Sequence, residues 1–355
     1  MAAILDAPDD DAPRLVYADW LDEQGDGDRA EFIRLDVRLA RTPRSDPGWS
    51  GLDRRVAELR QPNFQEWIGR LPQFPGVHWE AFTRGFVSVV KFETPDAYFE
   101  YAPDVFTAAP IREVRLHNFY WREASRLADS RSLRRAHVLD LNDGNYIANK
   151  GAEALFRSEH LANLSELLIG KNLLGSAGVR AVAEAPYMRG LTRLRVEKND
   201  VYDDGVRFLA ESERLTRLRI LDVSRTRAGV GGVEALARSR GVRRLLYLDL
   251  SGNRITDDAV RVLAASENMT ELRTLYLSWN SITDDGVVAL AESPQLSRLQ
   301  NVYLTNNLIS DRGAEALARS PYLENVQELY VGGNHISGQA QDQLRARFGS
   351  RVNVY

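Results

Sequence analysis

A strict 27-residue repeat constrains the fold of this chain more than any other feature of its sequence. Each copy reads L-x-L-x-x-N-x-I, followed by a polar turn and a stretch of small and apolar residues. Clear copies are LYLSWNSITDDGVVALAES from Leu275, VYLTNNLISDRGAEALARS from Val302 and LDLSGNRITDDAVRVLAAS from Leu248. The asparagines of the pattern, spaced by 27 residues with Thr226 filling the one double step, are Asn145, Asn172, Asn199, Asn253, Asn280, Asn307 and Asn334. A period kept over eight units predicts a solenoid in which each unit packs on its neighbours.

Within one unit, the spacing of apolar residues changes from the period of a strand to that of a helix. Leu275 and Leu277 alternate around Tyr276, as in a strand with one buried face. Ile282 then returns the chain to the core, and Asp284 begins a helix. The residues of that helix predicted to face the core are Val287, Val288, Leu290 and Ala291.

Polar residues recur where each helix is predicted to begin, four positions after each repeat position. In chain order these residues are Asn149, Ser176, Asp203, Val230, Asp257, Asp284, Asp311 and Gly338. Most of them are good N-cap residues, whose side chains accept hydrogen bonds from free amides of the first helical turn. The unit with Thr226 and Val230 breaks both patterns and carries Gly229, Gly231 and Gly232, so we expect a locally irregular turn there.

A glycine near the helix start accompanies the strand pattern in most units. The glycines are Gly151, Gly178, Gly205, Gly232, Gly286 and Gly313. The combination resembles the ribonuclease-inhibitor-like class of leucine-rich repeats over roughly residues 110–340. This resemblance implies an α/β fold, a right-handed horseshoe-shaped solenoid with a parallel sheet on its concave face and helices on its convex face. It also implies inward-pointing asparagines that satisfy backbone groups of neighbouring coils. The inhibitor's cysteine-bearing repeats are absent here, so ribonuclease binding is not implied.

The ends of the chain differ from the repeats. Residues 1–45 are predicted to form a small helical domain, since PDDDAPRLVYADWLDEQGD and RAEFIRL read as a helical hairpin; this string resembles a bacterial repeat-companion domain. Residues 46–109 are predicted to hold a linker and the N-terminal cap, with the β-forming run GFVSVVKF covering the open core. Residues 110–340 hold the repeats, and residues 341–355 form a C-terminal cap with a helix and a short closing strand.

Charge and composition exclude several classes of partner. The 46 basic and 50 acidic residues give a net charge of −4, which provides no global field for nucleic acid or an anionic membrane. The chain has no cysteine, so disulfides, thiolate metal sites and cysteine nucleophiles are excluded. Its N-terminus has no signal-peptide pattern, and no run approaches the roughly 18 apolar residues of a membrane span. We therefore expect a cytoplasmic protein that binds neither nucleic acid nor membrane.

No arrangement typical of catalysis, cofactor binding or metal binding occurs in the sequence. No two of the five histidines share metal-ligand spacing; they are His78, His117, His137, His160 and His335. The acidic run that starts at Asp22 has Ile33 where a calcium loop needs its bidentate acid. Paired aspartates such as Asp284-Asp285 recur at helix starts, which predicts helix stabilisation rather than acid–base catalysis. We expect no enzyme activity, cofactor or metal.

Three columns of side chains, with one residue per strand or turn, describe the exposed face of the predicted sheet. The middle column lies between the two buried anchors of each strand and reads Asp140, Leu168, Arg195, Asp222, Asp249, Tyr276, Tyr303 and Tyr330. The first column precedes the first anchor and reads Val138, Glu166, Arg193, Ile220, Tyr247, Thr274, Asn301 and Glu328. The turn column lies three residues past the middle column and reads Lys171, Lys198, Arg225, Gly252, Trp279, Asn306 and Gly333.

Aromatic residues dominate the late units of these columns. Because adjacent strands lie about 4.8 Å apart, Tyr276, Tyr303 and Tyr330 are predicted to form one ladder, which Tyr247 and Trp279 extend into a patch. Tyrosine and tryptophan often carry interface energy, so we predict that these five residues bind a partner. The alternative is that the tyrosines pair across strands only to stabilise the sheet.

Charged residues dominate the early units. The basic part of the turn column, from Lys171 to Arg225, can steer an acidic partner. Since Asp222 and Asp249 lie alongside, we expect mutual neutralisation instead. Arg195, Asp222 and Asp249 complete the set of predicted partner-binding residues.

These patterns predict a non-catalytic module that binds a protein partner on its concave face. The alternative is a regulator of an enzyme, either a nuclease inhibitor, which would form a tight one-to-one complex, or a GTPase-activating protein, which would stimulate nucleotide hydrolysis. A hydrolase is disfavoured because no nucleophile and base occur together. The oligomeric state stays open, since an exposed aromatic patch also suits a homodimer.

Overall fold

The computed structural model describes residues 1–142 and 144–355. The chain packs as two compact units. The first comprises Met1–Asn118 with Arg135–Asp140, and the second comprises Phe119–Arg134 with Leu141–Tyr355. No helix in the described ranges is both long and apolar enough to cross a lipid bilayer.

The first unit combines five helices with a small mixed sheet over its described residues. The helices are α1 (Ala2–Asp6), α2 (Ala12–Glu23), α3 (Gly27–Arg41), α4 (Trp49–Gly69) and α5 (Pro95–Ala108). The strands are β1 (Val77–Thr83), β2 (Phe86–Phe92), β3 (Glu113–Leu116) and β4 (Val138–Asp140). β1 and β2 form an antiparallel hairpin, and β2, β3 and β4 pair in parallel in that order. α2 packs against α3, which confirms the predicted helical hairpin, and GFVSVVKF forms β2.

The long helix α4 occupies a stretch in which the sequence predicted a linker. Pro62 lies inside this helix, and proline removes a backbone donor and normally ends or bends a helix. Val56, Leu59 and Trp67 are nevertheless buried, and α4 packs on α3. Burial of these three side chains therefore stabilises a helix that the local sequence does not predict.

α3 and the β1–β2 hairpin approach each other closely at Gly85. A Cβ atom on Gly85 would lie 2.7 Å from the Cα atom of Ile33, and the residue has a φ of +82°, so only glycine fits. The amide of Gly85 donates a hydrogen bond of 2.7 Å to the buried carboxyl of Asp36. Burial raises the pKa of that carboxyl, although the Gly85 amide opposes the shift.

The second unit repeats one strand and one helix. Its helices are α6 (Ala124–Ala128), α7 (Ala148–Leu155), α8 (Ser176–Ala183), α9 (Tyr202–Glu211), α10 (Val230–Arg238), α11 (Asp257–Ala264), α12 (Asp284–Ala291), α13 (Asp311–Arg319) and α14 (Gly338–Phe348). Its strands are β5 (Glu166–Leu168), β6 (Arg193–Arg195), β7 (Ile220–Asp222), β8 (Tyr247–Asp249), β9 (Thr274–Tyr276), β10 (Asn301–Tyr303), β11 (Glu328–Tyr330) and β12 (Val352–Asn353).

These strands and helices form the two layers of an α/β solenoid. The strands pair in parallel in chain order from β5 to β12, and each helix packs on the next. Neighbouring strands lie about 4.8 Å apart whereas packed helices need about 8–10 Å, so the sheet takes the inner, concave side. The predicted fold class is therefore confirmed, including the closing helix and strand at the C-terminus.

The repeat asparagines form a hydrogen-bond ladder between neighbouring units, for which Asn199 is representative. Its Oδ1 accepts bonds from the amides of Asn172 and Leu174, both at 2.9 Å. Its Nδ2 donates to the carbonyls of Ile169 and Val196 at 2.9 and 3.0 Å. Equivalent bonds are made by Asn253, Asn280, Asn307 and Asn334. A buried backbone group without a partner costs about 1–3 kcal/mol, so the ladder explains why the period is strict.

Thr226 supplies only part of the bonds that an asparagine makes at this position. Its Oγ1 donates to the carbonyl of Val223 at 2.6 Å, as an asparagine amide would, and its backbone amide donates to Asn253. Strands β6, β7 and β8 stay in register, and α10 begins after Gly229 as a regular helix. The strand and the helix of this repeat are therefore regular, and the expected irregularity is confined to the turn, where Arg227 has a φ of +64°.

The acidic residues at the helix starts do not cap their own helices. The N-cap residue lies one position earlier, as at Thr283, Ser310 and Ser337. The carboxylate of Asp284 instead accepts bonds from the amide and hydroxyl of Ser310 in the next unit, at 2.7 and 2.5 Å, and from the amide of Gly313 at 3.0 Å. The same link to the next unit is made by Asn149, Asp203, Asp257 and Asp311. These side chains were predicted to accept hydrogen bonds from the first turn of their own helices, and that prediction is wrong. The repeat period does not reveal to which coil a side chain bonds.

A second ladder, of serines, was not predicted. Each of these hydroxyls donates to the carbonyl of an alanine 29 residues earlier, at 2.5–2.6 Å; the serines are Ser212, Ser239, Ser266, Ser293 and Ser320. The bonds cover carbonyls at the C-terminal ends of the helices, which lack partners inside the helix. Serine recurring at the repeat period was the signal for this ladder.

Candidate partner-binding surface

The strands of the second unit bring the predicted face residues into register. The middle column runs from Arg195 through Asp222 and Asp249 to Tyr276, each opposite the next, and continues to Tyr330. In these strands the central residue is buried, and its two neighbours are mostly half-buried. The first and middle columns therefore project from the same face of the sheet.

Four tyrosines of this face form a stack, which we call the aromatic ladder: Tyr247, Tyr276, Tyr303 and Tyr330. The ring centroids of Tyr276 and Tyr303 are 3.9 Å apart with an interplanar angle of 3°, and those of Tyr303 and Tyr330 are 4.7 Å apart at 12°. Tyr247 lies 5.2 Å from Tyr276 with its ring tilted by 45°. The hydroxyl of Tyr303 donates to Glu328 at 2.7 Å. The faces of the rings contact one another, so their edges and hydroxyls are left to contact a partner.

Trp279 lies in the turn that follows the strand of Tyr276, and its side chain is 62% exposed. Its φ is +59°, and the whole turn column from Lys171 onward shares a positive φ. Glycine and asparagine, which occupy the column at Gly252, Asn306 and Gly333, adopt this conformation at little cost. A bulky tryptophan does not, so Trp279, like Lys198 and Arg225 in the same column, is held in a strained backbone conformation; Trp279 is also exposed.

Ion pairs occupy the early part of the face. Arg195 donates through Nε and Nη2 to Oδ2 of Asp222, at 3.1 and 2.9 Å. The other carboxylate oxygen of Asp222, a residue only 1% exposed, accepts bonds from the amide and hydroxyl of Ser224 at 3.0 and 2.7 Å. Arg193 pairs with Glu166 at 2.7 Å on the same face. These contacts orient the arginines and leave little free charge.

Two further carboxyls of the early part are poorly solvated. Burial and the nearby charge of Asp222 raise the pKa of Asp249 to about 6, although the hydroxyl and amide of Ser251 oppose the shift. Burial and Asp222 also raise the pKa of Glu197, whose Oε2 is buried without a hydrogen-bond partner. The centre of the face therefore holds its protons more tightly than exposed carboxyls do.

The expected neutralisation of the basic turn residues by Asp222 and Asp249 is wrong for Lys198 and Arg225. Within residues 1–142 and 144–355, neither of these two side chains forms an ion pair. Asp222 pairs with Arg195 on its own face, and Asp249 bonds the amide of the residue two positions on. The charge of Lys198 acts instead on Glu197, whose pKa it lowers against the larger effect of burial.

A second aromatic patch was missed by the sequence analysis: Tyr120, Trp121 and Tyr146. The rings of Tyr120 and Tyr146 stack at 5.4 Å with an interplanar angle of 16°, and both side chains are 45% exposed. Trp121 carries the ammonium of Lys150 over its ring at 4.2 Å. Tyr146 directly follows a repeat asparagine, a position that holds charged or polar residues in several other units, and this exception was the available signal.

The described residues contain no group of three or more histidines, aspartates or glutamates that could hold a metal ion. The second aspartate of each pair lies in an exposed ion pair: Asp204 with Arg207, Asp258 with Arg261, and Asp285 with Arg312. A groove of about 770 Å³ lies between α9 and α10, on the helical side, and charged surface side chains line it.

Two repeats of the chain match a known family by sequence. Residues 244–264 and 268–291 match the family model described as leucine rich repeat. No curated protein matches the chain. Among solved structures, an internalin from Listeria monocytogenes is similar with a TM-score of 0.47 and 20% identity, over 74% of this chain and 70% of the internalin. Internalin C2 from the same organism has a TM-score of 0.45 and 20% identity, over 66% of this chain and 92% of the internalin.

Proposed function

We propose that the second unit is a non-catalytic module that binds a protein partner through the aromatic ladder and Trp279. The observation that carries this proposal is the state of Trp279, a tryptophan that is 62% exposed and held at a φ of +59°. Residues kept in such backbone conformations cost about 1–3 kcal/mol and cluster at functional sites.

The fold itself does not need a large side chain at this position. Equivalent turns contain Gly252, Asn306 and Gly333 and keep the same strand pairing. The ring of Trp279 therefore adds backbone strain and exposed apolar surface that the fold does not require. Tryptophan and tyrosine dominate the binding energy of protein interfaces, so this surface is suited to binding a protein.

Stacking prepares the aromatic ladder for binding. Tyr303 contacts a ring on each side, and its hydroxyl is held by Glu328, so its rotamer is restricted before a partner arrives. Binding to a side chain that is already ordered loses less conformational entropy. The ladder therefore supplies a rigid platform beside the exposed ring of Trp279.

Charged residues of the early strands complete the proposed surface. Arg195 presents its guanidinium on the face, and the buried Asp222 acts by holding it there. Asp249 lies opposite Tyr276 in the next strand, at the boundary with the ladder. Lys198 and Arg225 add basic charge at the turns, so the preferred partner combines an apolar segment with an acidic one.

Affinity capture from native cell extract tests the proposal with two matched triple variants. The first changes Tyr276, Tyr303 and Tyr330 to alanine, and the second changes the exposed Tyr120, Tyr146 and Tyr187, each 45% exposed, to alanine. Circular dichroism confirms that both variants are folded. We expect a partner that the intact chain and the second variant retain and that the first variant loses.

Equal retention by all three proteins would refute the proposed surface, and loss only in the second variant would move the site to the second aromatic patch or to Tyr187. If the intact chain captures no protein, the proposal also fails. The identity of a captured partner separates a general binding module from an enzyme regulator, which would retain a nuclease or a GTPase.

A further inference from the structure

The first unit contains a small aromatic cavity that the proposed function does not use. Its volume is about 150 Å³, and it lies between α2, α3, α4 and the β1–β2 hairpin. The rings of Tyr17, Trp67, Phe82 and Phe86 line it together with Arg29. No carboxylate is among its lining residues in the described part of the chain.

Arg29 is surrounded by aromatic rings. Its guanidinium carbon lies 4.5 Å from the ring centroid of Trp67, 5.0 Å from that of Phe82, 5.2 Å from that of Phe32 and 5.7 Å from that of Phe86. Aromatic faces attract a cation electrostatically, so these rings offset part of the loss of hydration. They cannot replace the acceptors that water would provide.

One end of the guanidinium lacks a hydrogen-bond partner. Nη2 of Arg29 donates to the carbonyl of Gly85 at 2.6 Å, whereas Nη1 is buried and unpaired. Across the described residues, Arg29 forms no ion pair. Arg70, which also lines the cavity, differs because it bonds Asp26 at 2.6 Å and Glu66 at 2.5 Å. The unsatisfied charge of the cavity therefore belongs to Arg29.

Arg29 remains cationic at neutral pH in spite of its burial. Burial lowers its pKa to about 10, although Tyr17 and Asp26 oppose the shift; Arg70 adds to it less strongly. Buried charges in folded proteins are normally paired or hydrogen-bonded, since an unpaired one is costly. A cavity that contains an unpaired cation and no acid is thus complementary to an anion.

We propose that this cavity binds a small apolar monocarboxylate of about the size of benzoate. Binding turns the guanidinium of Arg29, whose Nη1 is closed off in this structure, so that Nη1–H donates to the carboxylate. The apolar body contacts Trp67, Phe82 and Phe86. An apolar cavity of about 150 Å³ is large enough to bind benzene, which sets the size of the body. Charge-assisted bonds to a guanidinium are roughly twice as strong as neutral ones, so the acid is preferred over a neutral analogue.

Calorimetric titration at neutral pH tests this inference with benzoate and its neutral isostere benzamide. We expect saturable binding of benzoate at least about tenfold tighter than that of benzamide, as one charge-assisted hydrogen bond predicts. Nuclear Overhauser contacts between the benzoate ring protons and the indole of Trp67 locate the ligand. Absence of benzoate binding at millimolar concentration, equal affinity for both ligands, or contacts elsewhere would overturn the inference.

Two variants isolate the role of the cation. Arg29→Met keeps the apolar length of the side chain and removes its charge, and we expect the preference for benzoate over benzamide to disappear. Arg34→Met makes the same change on the same helix, at a residue that pairs with Asp19 and Asp22 outside the cavity, and should keep the preference. A preference that survives in Arg29→Met would contradict the assignment. Should that variant fail to fold, the two-ligand titration of the unchanged protein still decides the question.

Discussion

The early strands β5–β8 and the late strands β9–β11 of the second unit share one scaffold and present different chemistry on it. Asn199 in the early part and Asn307 in the late part make the same kind of bonds to neighbouring coils. On the exposed face, however, ion pairs such as Arg195–Asp222 occupy the early strands, whereas the aromatic ladder begins at Tyr247 in β8 and continues, with Trp279, through the late strands.

This difference separates what the fold requires from what it leaves free. Ladder residues recur in both parts because every coil must satisfy the backbone groups of the next. Face residues differ because the sheet accepts either charge or aromatic rings there. The charged face residues of the early part pair with one another, whereas Lys198 and Arg225 at its turns form no ion pair among the described residues. We expect most binding energy from the late part, where exposed apolar surface remains.

The largest expected effect tests the shared scaffold. Asn199→Ala and Asn307→Ala each leave buried backbone groups without partners, so each should lower the free energy of unfolding by roughly 2–4 kcal/mol. Urea denaturation followed by circular dichroism measures the loss. A difference of more than about 2 kcal/mol between the variants would show that the two parts do not share one scaffold.

The next effect concerns pH and belongs to the early part alone. The pKa of Asp249 is raised to about 6, so this carboxyl binds its proton more tightly in the folded than in the unfolded state. Its contribution to stability is therefore present below about pH 4 and is lost as the pH rises to about 6, by roughly 2 kcal/mol. Relative to Asp249→Asn, the intact protein should lose that much between these pH values in urea denaturation.

A control in the late part accompanies this measurement. Tyr276→Phe leaves Asp249 in place, so the pH profile of this variant should follow that of the intact protein. Parallel profiles of the intact protein and Asp249→Asn would mean that Asp249 titrates like an exposed carboxyl.

A smaller expected effect is a difference between the two parts in how strongly salt changes the stability lost on mutation. Arg195→Met leaves the carboxylate of Asp222 buried without its partner and should cost about 1–2 kcal/mol, less in high salt. Tyr303→Leu removes ring stacking and should cost about 1 kcal/mol with no dependence on salt. Denaturant unfolding at low and high ionic strength checks both. If salt changes the free energy of unfolding equally in the two variants, the proposed difference between the early and late parts is contradicted.

Periodicity made the scaffold predictable from the sequence. Leucine spacing predicted the strands, and the 27-residue step placed Tyr276, Tyr303 and Tyr330 in register because each occupies the same position of its unit. The step does not reveal which coil a side chain bonds, so the partner of Asp284 was predicted wrongly. Nor does it show that a threonine hydroxyl can supply part of the bonds of an asparagine at Thr226.

Features that depend on long-range packing were outside the reach of sequence patterns. The strain of Trp279 depends on a backbone conformation that the tryptophan itself disfavours. Helix α4 forms around Pro62 because three of its side chains are buried by other elements. The cavity at Arg29 joins Trp67 and Phe82, which are distant in the chain and follow no period. Such sites become visible only when the tertiary contacts are known.

Trp279→Gly, compared with Leu173→Gly, tests the account most directly. Both residues have a positive φ, +59° and +57°, and both are exposed, but only Trp279 follows a ladder strand. Glycine relieves the strain in either case, so both variants should keep their stability or gain up to about 1 kcal/mol. In affinity capture, Trp279→Gly should retain at least about tenfold less partner than Leu173→Gly, as loss of an interface tryptophan predicts. Equal retention by two equally stable variants would contradict the claim that the aromatic late strands bind the partner.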